Sequence, residues 1–285
     1  MTEKEKLQLQ IEACDLRRNA LIAIHACNSG HPGGSLSAAD LLTYLYFKGM
    51  KIDPQNPKWE DRDRFVLSKG HAAPGLYSAL ALRGFFPVEE LTTLRKIGSR
   101  LQGHPNMNTV PGVDMSTGSL GQGITAAAGM AKAAKYLNKD LTVYTLMGDG
   151  ELAEGECWEA FMFASNYKLD NLCVFVDVNR LQIDGRTSDV MPTEPMDKKF
   201  EAFGAHVIKI DLICKRDNVF DRQQLAAFVR LGGLLGEGLA EQHLAVALDA
   251  HDIRVAADDL DKGRLVPCVG THLNIERAAQ QRLCH

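Results

Sequence analysis

Residues 141–185 read LTVYTLMGDGELAEGECWEAFMFASNYKLDNLCVFVDVNRLQIDG, and the fold is predicted from this segment first. Its apolar runs at 141–147 and 171–178 are short and rich in β-formers, and the segment 158–167 between them has helical periodicity. Strand, helix and strand in that order, with nearly continuous apolar strands, indicate a buried parallel sheet. The sequence therefore predicts an α/β fold, a parallel sheet with helices on both faces.

The flanking sequence extends this pattern in both directions. A strand is predicted at 61–67, before a turn at 68–71, and another at 205–210. The segment NSGHPGGS at 28–35 is predicted to be a loop because it holds three glycines and a proline. Helical periodicity covers residues 4–27, 37–47, 75–83 and 198–203.

Composition excludes several classes of protein. The net charge of −4 gives no sign of a nucleic-acid surface. The start, MTEKEKLQLQ, is polar, and no apolar run is long enough to span a membrane, so a cytoplasmic location is expected. The seven cysteines are scattered and never form a C-x-x-C pair, which predicts neither a disulfide framework nor a zinc site.

Two oxygen-bearing side chains follow the central strands. Asp149 lies between two glycines just after the first strand, and Asn179 ends the second. Ligands bind at the carboxyl ends of the strands in such sheets, and Mg²⁺ prefers carboxylate, amide and phosphate oxygens. The glycines, Gly150 in particular, would let backbone N–H groups approach a phosphate. Taken alone, Gly-Asp-Gly is also a common tight turn with an acidic tip.

Three further segments give the sequence a family resemblance. They are SGHPGGSLSAADLL at 29–42, DRFVLSKGHAAPGLYSAL at 63–80 and GHPNMNTVPGVDMSTGSLGQG at 103–123. With the unit at 148–185, which is similar to the thiamine diphosphate motif, they resemble transketolases in the order of that family. The likeness runs from about residue 10 to residue 211. It predicts a diphosphate-binding domain at 1–211 and a divergent tail at 212–285.

The resemblance implies roles for individual residues. The metal Mg²⁺ would be held by Asp149, the side chain of Asn179 and the carbonyl of Leu181. Thiamine diphosphate would lie near His71, Gly118, Leu120 and Gly150, and Glu154 would link two cofactor sites at a subunit interface. The catalytic candidates are His31 and His104, which would reach the sugar and the reacting carbon.

Each histidine also has a simpler interpretation as a surface residue or a satisfied core residue. His31 and His104 both occur as Gly-His-Pro and His71 as Gly-His-Ala, in loops between apolar helices, where binding residues collect. His25, His206 and the histidines of the tail match no motif.

The resemblance implies transfer of a two-carbon glycolaldehyde unit from a ketose phosphate to an aldose phosphate, the reaction of the pentose phosphate pathway. Full-length members carry a second, pyrimidine-binding domain, which the resemblance leads us to expect on a separate polypeptide. A C-terminal subunit is therefore expected as partner, in a heterotetramer. Two alternatives remain: a related glycolaldehyde transferase with another sugar, and a non-catalytic remnant that still binds the cofactor.

The tail departs abruptly from the family pattern after about residue 211. The family continues there with Gly-His-Asp and ends later in Trp-His-Gly, whereas this chain reads DLICKRDNVF. A frameshift in the gene produces such an abrupt loss, and a poorly folded tail is expected. Helices are compatible with 225–230 and 239–248, and a brief strand with 264–269.

Overall fold

The computed structural model of the chain describes residues 1–183, 185–211 and 224–231. Its central sheet has five strands in the order β1-β2-β3-β7-β6, and a two-stranded sheet pairs β4 with β5. The strands are β1 (Arg64–Leu67), β2 (Val143–Gly148), β3 (Leu172–Val178), β4 (Leu181–Gln182), β5 (Gly185–Arg186), β6 (Ala205–Asp211) and β7 (Gln224–Leu231).

Helices surround this sheet. They are α1 (Glu3–Cys27), α2 (Pro32–Ser37), α3 (Ala39–Tyr44), α4 (Ala73–Arg83), α5 (Gln122–Tyr136), α6 (Gly155–Asn166), α7 (Thr187–Val190) and α8 (Met196–Ala202). Short 3₁₀ turns cover Gly70–Ala72, Val88–Thr93 and Gly150–Ala153, and a π turn covers Leu45–Gly49. None of the helices in the described ranges is long and apolar enough to cross a bilayer.

The two faces of the sheet bury two separate cores. Alternate side chains of one strand point to opposite faces. In β1, Phe65 and Leu67 pack in a core with α1, α3 and α4, whereas Val66 packs in the core of α5, α6 and α8. In β3, Phe175 joins the first core and Val174 the second. This arrangement confirms helices on both faces of an α/β sheet.

The strand β7 makes the sheet mixed rather than wholly parallel. The strands β1, β2 and β3 pair in parallel, as predicted, but β7 lies antiparallel between β3 and β6. The helix predicted at 225–230 is therefore wrong. Its residues pair with strands on both sides, and a short, largely apolar run is compatible with a strand as well as with a helix. The segments 239–248 and 264–269 lie outside the described residues.

Several predicted boundaries also shift. The loop predicted at 28–35 ends at His31, because Pro32 occupies the first position of α2, where its missing N–H costs nothing. The helix predicted at 37–47 divides into α3 and the π turn. The helix α5 was not among the predicted helices.

Candidate active site

The loops that follow three parallel strands meet at one edge of the sheet. Ser68 to His71 follow β1, Asp149 follows β2, and Asn179 follows β3. Gly148 is in register with Asp177, and the N–H of Asp149 donates to the carbonyl of Asp177 at 3.1 Å. The parallel pairing thus brings the two predicted metal ligands together at the carboxyl ends of neighbouring strands.

The carboxylate of Asp149 is buried, with 2% of the residue exposed. It accepts hydrogen bonds from the N–H of Arg180 at 2.7 Å and of Gly150 at 3.0 Å. Burial, together with the charge of Asp177, raises its pKa to about 6, despite the backbone donors that lower it. No cationic side chain within the described ranges pairs with this carboxylate. It is therefore a desolvated anion that a bound cation would stabilise.

The loop after β3 is held in one shape by its own side chain. Oδ1 of Asn179 accepts from the N–H of Leu181 at 2.9 Å, and Arg180 between them has a positive φ of 58°. The Leu181 side chain is 60% exposed. The amide of Asn179 and the carbonyl of Leu181 thus belong to one tight turn that also contacts Asp149 through Arg180.

Glycines let the backbone of two loops approach closely. A Cβ at Gly70 would meet the backbone N of Gly118 at 2.8 Å. Gly118 has a φ of +151°, and a Cβ there would meet the ring of His104 at 3.0 Å. This contact places His104 against the loop that holds Gly118 and half-buried Leu120.

The three predicted histidines form one group. The rings of His31 and His71 are 5.4 Å apart, centroid to centroid, in an edge-on arrangement. Burial lowers the pKa of His71 to about 4, helped by the charges of Lys69, His31 and His104. His31 reaches solvent, yet partial burial lowers its pKa too, followed by the charges of Arg95 and His104. Both rings are therefore neutral at neutral pH.

A buried ion pair beneath His71 was not predicted. Nζ of Lys69 donates to Oδ2 of Asp177 at 2.5 Å and to the carbonyl of Gly34 at 3.1 Å. The hydroxyl of Ser37 donates to the same Asp177 oxygen at 2.5 Å. Only 2% of Lys69 and 3% of Asp177 is exposed. An unpaired charge inside an apolar strand is costly. The acid within VFVDV, Asp177, therefore could have indicated a buried cationic partner.

A third buried carboxylate, that of Glu151, joins the loops after β1 and β2. Its oxygens accept from the hydroxyl of Ser68 and from the N–H groups of Gly121 at 2.9 Å and Gly148 at 3.1 Å. Burial raises the pKa of Glu151, although the hydrogen bonds from those three donors act to lower it. The spacing of its motif gave no sign that this acid is buried whereas Glu154, three residues later, is exposed.

One predicted residue lies apart from this group. Glu154 is exposed and precedes the first residue of α6. Gly150 is in the 3₁₀ turn, where an added Cβ would approach the side chain of Gln182 at 3.3 Å. Gly150 therefore lies with the metal-ligand candidates, and Glu154 on the surface beside them.

The donor set fits a metal that arrives with phosphate oxygens. The described part of the chain contains no cluster of three or more His, Cys, Asp or Glu side chains able to hold a metal alone. One carboxylate, one amide and one carbonyl are available instead, which matches the few protein ligands that Mg²⁺ takes in phosphate sites. The uncompensated charge of Asp149 supports the same assignment.

Comparison with known proteins relates this site to one family. Residues 10–221 match the family model described as transketolase, thiamine diphosphate binding domain. The 6-deoxy-6-sulfo-D-fructose transketolase subunit SqwG of a Clostridium species is 50% identical over 208 residues, which cover 73% of this chain and 76% of that protein. One of the subunits of the apulose-4-phosphate transketolase of Phocaeicola vulgatus is 45% identical over 207 residues, with 73% of each chain covered.

Longer relatives match over a smaller share of their length. The transketolase of Homo sapiens is 48% identical over 217 residues, which cover 73% of this chain and 34% of that protein. Among solved structures, the transketolase from Leishmania mexicana superposes with a TM-score of 0.68 at 38% identity, covering 70% of this chain and 31% of that one. The chain thus spans about a third of the full-length transketolases that it matches.

Proposed function

The chain belongs to the transketolase family, whose thiamine diphosphate-binding domain it contains, and on that premise we propose that it is the diphosphate-binding subunit of a transketolase completed by a second polypeptide. The observation that carries this proposal is the meeting of Asp149, Asn179 and His71 at the ends of three adjacent parallel strands.

The two-chain arrangement rests on the extent of the similarity. The matched segment makes up 76% and 73% of two relatives that are themselves named subunits, but 34% of the human transketolase. Such coverage supports a subunit that needs a pyrimidine-binding partner, and we propose a cytoplasmic heterotetramer. The proposed domain ends near residue 211, ten residues before the end of the family match.

We assign the cofactor contacts to residues of three loops. The side chains of Asp149 and Asn179 and the carbonyl of Leu181 would hold Mg²⁺, while His71 and the N–H of Gly150 would contact the diphosphate. Gly118 and Leu120 would lie beside the rings, and Glu154 would face the partner. When bound, thiamine diphosphate supplies the carbanion chemistry that carries the two-carbon unit.

The remaining task of this chain is to orient the sugar and move protons at its oxygens. A neutral imidazole offers one donor and one acceptor nitrogen, which suits His31 to a substrate hydroxyl or carbonyl oxygen. His104 contacts the Gly118 loop and reaches solvent, so it lies between the proposed cofactor site and the sugar. We propose His31 and His104 as the catalytic residues of this half.

The reaction proposed is transfer of a glycolaldehyde unit from a ketose phosphate to an aldose phosphate, as in the pentose phosphate pathway. A second candidate is the same transfer with another sugar. It is favoured by the names of two relatives, one for a sulfo-sugar and one for apulose 4-phosphate. The acceptor and donor would then differ while the cofactor site stays the same.

The test is to purify the tagged chain from its own host with thiamine diphosphate and Mg²⁺ and to weigh it by native mass spectrometry. We expect a complex with a second chain and bound cofactor. A panel of ketose phosphates, a sulfo-ketose and apulose 4-phosphate would then separate the two sugar hypotheses. A lone chain that binds no cofactor would overturn the proposal.

A further inference from the structure

Arg95 touches both loops that carry the proposed catalytic histidines. Its Nη1 donates to the hydroxyl of Ser29 at 2.9 Å, two residues before His31. Its guanidinium also lies so close to Gly103, the neighbour of His104, that a Cβ there would meet Cζ at 2.8 Å. The loops come from distant parts of the sequence, and one side chain connects them.

The backbone of Arg95 is fixed at its base. The residue has a φ of 58°, which lies in the left-handed region that residues other than glycine rarely adopt. Its N–H donates to the carbonyl of Leu101 at 2.8 Å, and Leu94 and Leu101 are both fully buried. The neighbouring packing therefore maintains a strained backbone conformation, and the hydrogen bond to Ser29 holds the exposed side chain at this point.

The loop that carries His104 is also held by a hydrogen bond that does not involve Arg95. The hydroxyl of Tyr77 lies 3.0 Å from the carbonyl oxygens of both Gln102 and His104 and shares its one donor hydrogen between them. With Tyr77 beneath the backbone and Arg95 across Gly103, the His104 loop is held from two directions. The loop that carries His31 is held by Arg95 as well, through the hydrogen bond to Ser29.

In the part of the chain that the structure describes, no carboxylate pairs with Arg95, whose hydrogen bond goes to the hydroxyl of Ser29. Arginine side chains are permanent cations in proteins. The charged or titratable groups that act on His31 are Arg95 and His104, and the ring of His71 stands beside it. A permanent cation therefore lies beside a histidine that must accept hydrogen bonds.

We propose that Arg95 is a positioning residue that holds the His31 and His104 loops in one arrangement and places a permanent positive charge beside His31. This inference rests on the proposed function only in taking these histidines as the groups that contact the sugar. It adds a residue outside every motif of the sequence.

The first test needs no catalysis. The Hε1 resonance of His31, assigned with His31→Gln, is titrated by NMR in the wild type, Arg95→Gln, Arg95→Lys and Ser29→Ala. Arg95→Gln should raise the pKa of His31, because a cation beside it is lost, and Arg95→Lys should restore part of the lowering. Equal pKa values in the wild type and Arg95→Gln would overturn the electrostatic half. If Arg95→Gln does not fold, Ser29→Ala decides, since it frees the guanidinium and should also raise this pKa.

The second test uses the complex with its partner chain. Arg95→Gln should lower kcat/KM by about ten-fold to a hundred-fold, the range expected for misplaced catalytic groups, while the affinity for thiamine diphosphate stays unchanged. Arg95→Lys should recover part of this loss. An unchanged kcat/KM would overturn the positioning role. A wild-type complex without activity would instead contradict the proposed function and leave the NMR result standing.

Discussion

The hydroxyl of Ser68 donates a 2.5 Å hydrogen bond to Oε1 of Glu151, which ties the turn after β1 to the turn after β2. Through the same carboxylate, the N–H groups of Gly121 and Gly148 are also satisfied. Glu151 is thus a shared acceptor beneath the proposed cofactor site, and its removal would take the acceptor from three donors, of which those of Ser68 and Gly121 are buried.

We expect Glu151→Ala to lower the free energy of unfolding by about 3 kcal/mol or more, because unsatisfied buried donors are costly. Urea unfolding at neutral pH measures this loss. Glu151→Gln should cost less, since it keeps one acceptor oxygen. Exposed Glu159→Ala, on the outer side of α6, is the matched control and should change little. Equal losses for the two alanine variants would contradict the shared-acceptor role of Glu151.

Asp149→Ala should abolish Mg²⁺-dependent binding of thiamine diphosphate, because it removes the one charged ligand proposed for the metal. Titration calorimetry with and without Mg²⁺ measures the effect. Asp140→Ala is the control, since this exposed acid precedes the other end of the same strand. If the Asp149 variant bound the cofactor as tightly as its parent, the metal assignment would be wrong.

Gly70→Ala should destabilise the chain by about 1–3 kcal/mol and weaken cofactor binding, because the new Cβ would press on the backbone of Gly118 at 2.8 Å. Thermal unfolding and cofactor titration measure both effects. Gly129→Ala, in α5 with nothing within 4 Å, should instead stabilise the chain by about 0.5–1 kcal/mol. Stabilisation by both substitutions would show that the loops are not in close contact.

The pKa of about 4 for His71 gives a prediction with a definite sign. A base whose pKa is lower in the folded state binds protons better when unfolded, so stability falls as the pH drops from about 6.5 towards 4. Between pH 7 and pH 5 this loss should reach about 2 kcal/mol. His71→Asn should remove it, and urea unfolding of both proteins at the two pH values is the measurement. An identical fall in the variant would mean that His71 is not desolvated.

A residue of this site could be predicted from the sequence only where its position in a local pattern, such as the end of an apolar strand, indicates its role. Asp149 and Asn179 follow apolar strands directly, so the rule on strand ends was enough to bring them together. Glu151 and Arg95 gave no such signal, and Lys69 could be inferred only through Asp177, the acid inside its apolar partner strand. Their burial or strain is decided by tertiary packing alone.

The fold shows the same division. Strands β1 to β3 were predicted because their apolar runs are short and bounded. The helix α5 was missed, although its alanine-rich sequence favours a helix, since glycines before and within it weaken the helical pattern. For β7 the local pattern favoured helix, and pairing on both sides gave a strand instead. Short apolar runs are ambiguous until their neighbours are known.

The pairing of Lys69 with Asp177 bears on the order in which the metal and the cofactor associate with the chain. Of the carboxylates at the ends of β2 and β3, that of Asp177 is already paired with the ammonium of Lys69, and that of Glu151 accepts from three donors of the surrounding loops. An incoming cation is therefore expected to meet the carboxylate of Asp149 alone. Bare Mg²⁺, which gives up its water reluctantly, gains little from one carboxylate. An ion already chelated by a diphosphate carries its own anionic oxygens. The site is therefore expected to select the metal–diphosphate complex as one unit, and not the free ion followed by the cofactor.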